Sequence, residues 1–157
     1  MYAVTRLGLA LLCAAVALFG GSLGVVFAQS ADELEQNKAT VVAFYDTAFN
    51  QKQPEQAIAQ YVGPMYIQHN PGAADGKDAF IRFVRGFSTQ FPEAYVDIRR
   101  VIAEGDLVVT HSHFTVSPED RGSAVVDIFR LENGKVVEHW DVIQMIPETP
   151  LNTNTMF

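Results

Sequence analysis

The sequence predicts an α+β domain, with helices first and a largely antiparallel sheet after them. Three observations carry this. Apolar residues recur at helical spacing as far as Phe91. From residue 95 the chain turns to runs rich in Val, Ile, Phe and Thr that alternate with polar residues. Two turn dipeptides, Gly105-Asp106 and Asn133-Gly134, divide those runs at hairpin intervals. The 157 residues give room for one domain, and 48% hydrophobic against 18% charged is the balance of a folded globular protein.

Residues 1–28 read apart from the rest. They hold one basic residue, Arg6, and no acid; an apolar run follows from Leu7 to Phe19, then Gly20 and Gly21, then a second apolar stretch. This is the layout of a secretory signal, and Val26-Phe27-Ala28 supplies the small-residue exit, with Ala28 the last residue removed. An uncleaved anchor is the competing reading, because the run nearly spans a bilayer. The interrupting glycines and the closing cleavage sequence favour removal. Cys13 sits too early and follows bulky Leu12, which sets a lipoprotein aside. The expected product is an exported, periplasmic or extracellular chain starting at Gln29. It contains no cysteine, so disulfides, thiol nucleophiles and cysteine-bound zinc are excluded.

Ser30-Ala31-Asp32-Glu33 forms a capping box that opens a first helix, with Leu34, Val41, Val42, Tyr45, Ala48 and Phe49 on its apolar face. Asn50 and Pro54 bracket a break, residues 55–61 make a short second helix, and Gly63-Pro64 is a stop signal. Residues 65–70 are extended, and Pro71, Gly72 and Gly76 make the following stretch a loop. A third helix begins at Asp78, carries Phe80, Phe83, Val84, Phe87 and Phe91 on one stripe, and ends at Pro92. Strands are expected over 95–104, 107–116, 123–132 and 135–146. The folded domain is read as 29–147 and residues 148–157 as a flexible tail.

The strands carry polar residues among aliphatics. Alternation puts His111 and His113 on one face of their strand, Asp127 and Phe129 together on the next, and His139 with Asp141 on the last. The turn decides how these faces combine. A three-residue Glu132-Asn133-Gly134 loop sets Asp127 opposite His139, whereas a two-residue Asn133-Gly134 loop sets it opposite Trp140. The first arrangement gathers Asp127, His139, Asp141, His111 and His113 on one face, and is the one expected. Charged groups among aliphatics must be hydrogen-bonded or line a wet cavity, which suggests a pocket in a curved sheet. His-x-His with a third histidine and an aspartate could also ligate zinc, but the spacing is permissive. Proton transfer needs only an imidazole beside a carboxylate and ranks above metal, so no metal and no cofactor is expected. The net charge of −7 excludes nucleic acid as a partner class.

Three stretches carry a resemblance: Tyr66-Ile67-Gln68-His69-Asn70-Pro71, the Gly76-Lys77-Asp78-Ala79-Phe80 start of the third helix, and the run from Asp127 to Val142. In these the chain resembles the SnoaL-like polyketide cyclase group of the NTF2-like superfamily, over residues 33–147. The resemblance implies a cone-shaped barrel, a strongly curved antiparallel or mixed sheet packed around three N-terminal helices with an apolar pocket between. It also implies cofactor-free acid–base chemistry on small apolar molecules. His139-Trp140-Asp141 aligns with the tryptophan-x-aspartate of the epoxide hydrolase branch, with Tyr66 and Gln68 matching its water-holding residues. The arginine–aspartate part of that set is not recognisable, so epoxide hydrolysis is not expected.

Two function classes follow. In the first, an aldol cyclase, isomerase or lyase acts on a small hydrophobic carbonyl compound. Asp127 or Asp141 takes a proton, and His139 or His113 polarises the oxygen. Tyr66, Gln68, His69, His111, Phe129 and Phe49 contact the substrate, and Phe44, Phe80, Phe83 and Phe87 add apolar wall. In the second, the same pocket captures a small hydrophobic ligand without chemistry. Either suits a homodimer through the sheet face bearing Trp140, Ile128 and Arg130.

Overall fold

A computed structural model describes residues 30–157; the expected signal at 1–28 lies outside the described residues. Helix α1 (Ala31–Tyr45) starts at the predicted capping box. Ser30 Oγ accepts the Glu33 N–H at 3.2 Å, and Glu33 Oε2 accepts the Ser30 N–H at 2.8 Å, so two amides that the helix cannot satisfy are bonded. After Tyr45 the helix widens into a π-helical turn, Asp46–Asn50, and ends there at the expected break. Asn50 holds that turn to the sheet: its amide donates to the Val96 carbonyl at 3.0 Å, and its Oδ1 accepts the Val96 N–H at 2.9 Å.

Helix α2 (Pro54–Tyr61) begins with proline where no helical N–H is needed. Strand β1 (Val62–Gln68) follows at once. Helix α2 therefore ends just before the Gly63-Pro64 stop signal, and the pair itself enters the strand, which was expected only from residue 65. β1 lies at the sheet edge, where a missing N–H is tolerated. Gly63 is required there by close approach, since a Cβ at that position would lie 2.8 Å from Val137 Cγ1. Helix α3 (Lys77–Gln90) leads to strands β2 (Tyr95–Glu104), β3 (Leu107–Thr115), β4 (Ser123–Glu132) and β5 (Lys135–Met145).

The sheet order is β1-β5-β4-β3-β2; β1 runs parallel to β5 and all other neighbours are antiparallel. One face is packed by the helices. Phe44 is fully buried at that contact, its ring stacked on Phe80 with centroids 5.2 Å apart and set edge-on to Phe129 at 6.2 Å.

The β4–β5 hairpin departs from both expected loops. Asn133 and Gly134 both have positive φ, 51° and 71°, as a two-residue primed turn requires. Glu132 pairs with Lys135 and Leu131 with Val136, then the register shifts so that Arg130 pairs with Glu138. That bulge restores the face the two-residue turn would have reversed. Asp127 stands opposite Asp141 and Phe129 opposite His139, so Asp127, His139 and Asp141 do share a face, with cross-strand partners other than those expected. The tail after β5 has no regular structure, yet Phe157 returns to lay its ring against His113, centroids 4.7 Å apart.

Candidate functional site

The inner face of the sheet and α1 build a buried polar cluster. Asp127 is 1% exposed. Its Oδ1 accepts the Tyr45 hydroxyl at 2.6 Å and lies 3.1 Å from His139 Nε2, and its Oδ2 accepts the Thr110 hydroxyl at 3.0 Å. Each partner comes from a different element: Tyr45 closes α1, Thr110 faces Asp127 across the β3–β4 ladder, and His139 is on β5.

His139 is oriented from its other side. Its Nδ1 lies 3.0 Å from Gln68 Oε1, which also accepts the Asn70 N–H at 2.9 Å. A carbonyl oxygen cannot donate, so Nδ1 carries a proton. Nε2 faces both Asp127 Oδ1 and, at 3.3 Å, the Tyr45 hydroxyl. Two rings fix the imidazole plane, Tyr66 stacked on it with a 14° tilt and Phe129 with its centroid 4.9 Å away.

Asp141 differs from Asp127 in being only partly buried. The Asn70 amide donates to both of its oxygens at 2.8 Å, and Asn70 is itself set by the Gly72 N–H at 2.7 Å. Its carboxylate keeps acceptor sites that neither Asn70 nor its neighbours fill.

The two tyrosines are held neutral. Burial pushes the Tyr45 phenol far above its usual range, with the Asp127 charge adding to it. Burial does the same for Tyr66, with Asp127 and then Asp141 reinforcing the shift. Tyr45 is thereby a hydrogen-bond donor throughout the working pH range.

These groups line a cavity of about 230 Å³ between the sheet and the helices. Asp127, His139, Asp141, Tyr66, Gln68 and Phe49 all reach it. Phe80, Phe83, Phe87 and Phe114 contribute apolar wall. The ligand atoms of Asp127, His139 and Asp141 fall within 4.8 Å of one another, so these three could hold a cation. Asp127 would first have to give up bonds to Tyr45 or Thr110.

Four expected site residues lie elsewhere. On β3 it is Thr110 and Ser112 that face inward, opposite Asp127 and Val125. His111 and His113 therefore point from the outer face, because the β3–β4 register is one residue away from the grouping expected. His111 meets Arg100 there, and His113 Nε2 donates to the Arg121 carbonyl at 2.8 Å. His69 also lies outside, stacked on Trp140 at 4.6 Å and paired with Glu138 at 2.8 Å. Phe129 is fully buried beneath His139 and does not line the cavity. Sequence reasoning missed Tyr45, Asn70, Thr110 and Ser112. Tyr45 and Thr110 sit at positions that periodicity assigns to the core, where an apolar residue serves equally well. Asn70 lay inside a motif already quoted.

A family model described as a SnoaL-like domain matches residues 41–139, well over half of the chain. No curated protein matches the sequence. Among solved structures, the chain is similar to a provisionally named polyketide cyclase of Bacillus cereus. The identity is 23% and the TM-score 0.63, over 73% of this chain and 78% of that one. It is also similar to a provisionally named SnoaL-like polyketide cyclase of a Jannaschia species, at 22% identity and TM-score 0.61, covering 73% and 90%. TsrD of Streptomyces laurentii matches at 20% identity and TM-score 0.57, covering 73% and 90%. The three-helix, curved mixed-sheet fold is common to this chain and these structures.

Proposed function

The chain belongs to the SnoaL-like domain family, and from that premise we propose that it moves a proton at the carbon next to a carbonyl of a small hydrophobic compound. No cofactor is needed for such a step. The observation that carries the reading is the contrast between two carboxylates on one face. Both reach the cavity, but the oxygens of Asp127 are taken up by three partners in a buried place, while Asp141 is partly exposed with acceptor sites free. Asp141 is the base that meets the substrate. Asp127 is a positioning residue that holds His139 and Tyr45.

In the step itself, Asp141 takes the proton from the carbon, the C–H electron pair becomes the new C=C bond, and the C=O π pair moves onto the oxygen. The neutral Tyr66 phenol, which reaches the same cavity, donates to the developing oxyanion. Return of the proton to another carbon gives an isomerisation; attack of the enolate carbon on a second carbonyl gives an aldol ring closure. Neighbouring folds carry names of both kinds, a polyketide cyclase and a SnoaL-like isomerase, which supports the class without choosing within it.

The test uses acetophenone, a small apolar methyl ketone. Its methyl hydrogens should exchange in D₂O faster with the protein than in buffer, read by proton NMR. Asp141→Asn should lower the catalysed rate by roughly 10²–10⁴-fold. Exchange no faster than buffer rejects the proposal in favour of a binding protein without chemistry, and catalysed exchange undiminished in Asp141→Asn rejects Asp141 as the base.

A second observation supports dimerisation. Ile102, Val109, Ile128 and Trp140 are successive ladder partners across four strands on the outer face, and Ile102 is 61% exposed. A second copy of this chain is the proposed occupant of that row, with Arg130 at its border.

A further inference from the structure

Ser112 is fully buried, and among the described residues its Oγ is a buried side-chain oxygen with no hydrogen-bond partner. Buried hydroxyls are nearly always bonded, because taking one out of water without a partner is unfavourable. The surroundings offer nothing to repair this. Its ladder partners are Ile98 and Val125, and Val96 and Phe114 line the same cavity. Thr110, two residues earlier on the same face, is fully buried too, yet it is satisfied by Asp127. The difference is that Ser112 lines the cavity and Thr110 does not.

We propose that the Ser112 hydroxyl is a specificity contact for an oxygen at the far end of the ligand. This rests on the proposed placing of the ligand's carbonyl beside Asp141 and His139, and it narrows the ligand class. Asp141 is two strands away from Ser112 and one inward-facing pair along. Strand spacing and rise put the two Cα atoms about 12 Å apart in a flat sheet, less in a curved one. A hydrogen bond of about 3 Å at each end leaves a gap that one six-membered ring spans. Phe49, Phe83 and Phe87 offer such a ring flat apolar surface. The ligand is therefore a ring compound with a carbonyl beside Asp141 and His139, and a hydroxyl or second carbonyl across the ring at Ser112.

Two probes separate the ends: acetophenone, and 4-hydroxyacetophenone, which adds the oxygen across the ring. Binding is measured by NMR titration of the full chain. The wild-type protein should bind the hydroxylated probe about 5–10-fold more tightly, and Ser112→Ala should remove that preference. Ser112→Ala should also raise the melting temperature of the free protein, because the orphan hydroxyl is gone. A preference that survives Ser112→Ala, no binding of either probe, or a melting temperature that falls on substitution overturns the proposal. Binding is read without turnover. Absent proton exchange would sink the acid–base reading and leave this one standing, and an undiminished preference in Ser112→Ala would do the reverse.

Discussion

Asp127→Asn and Asp141→Asn should part company, although the two residues face each other in the sheet. Asparagine at 127 keeps one oxygen and turns the other into a donor. Placed toward Thr110, the new amide meets a hydroxyl that can rotate and accept, at little loss. The remaining oxygen still meets Tyr45 and His139, now without charge. Hydrogen bonds to charged groups contribute about 1 kcal/mol more than neutral ones, so two weakened contacts amount to about 2 kcal/mol. For a domain of this size that is a fall in melting temperature of roughly 6–10 °C. Asparagine at 141 presents its oxygen to the Asn70 amide in a partly exposed place, and should cost under about 1 kcal/mol. Thermal unfolding by circular dichroism reads both. If Asp127→Asn melts within about 2 °C of wild type, or Asp141→Asn falls as far as Asp127→Asn, the division into a positioning carboxylate and a substrate-facing one is wrong. Sequence reasoning expects both variants to lose function with the fold unharmed; burial behind three partners removes that symmetry.

Three further expectations concern alkali, assembly and export. Tyr45 is held protonated in the fold, so its stabilising effect is complete below about pH 10 and is lost as pH rises beyond that. The stability gap between wild type and Tyr45→Phe, from urea unfolding, should be constant up to about pH 9 and narrow above it; a gap that widens with alkali contradicts the burial argument. Trp140→Glu should move the mass seen by light scattering from dimer toward monomer, and a monomeric wild type ends that proposal. Export motivated by Arg6, the apolar run and Val26-Phe27-Ala28 predicts an amino terminus at Gln29 in protein recovered from the native host. Recovery of chain beginning at Met1 contradicts it.

Much of the architecture was legible along the chain because the signals are local. The Ser30–Glu33 box, the proline at the start of α2 and the Asn133-Gly134 turn each act within a few residues, so their chemistry names the structure they make. Alternation along one strand is equally local, which is why His139 and Asp141 were grouped correctly. Gly63-Pro64 marks the end of α2 locally, but its entry into an edge strand against Val137 is a tertiary matter.

The site itself depends on how strands are laid side by side, and that is not a local property. One bulged residue near Val137 set Asp127 against Asp141, and the β3–β4 register turned Thr110 and Ser112 inward in place of His111 and His113. A strand reverses all its faces with a shift of one residue, at no change in its own sequence pattern. The sequence by itself therefore determined the elements, their order and the residue types available for acid–base work. Which of them meet across Tyr45, Asp127, His139 and Asp141 was decided by tertiary packing, where side chains from α1, β1, β3, β4 and β5 are brought together from distant parts of the chain.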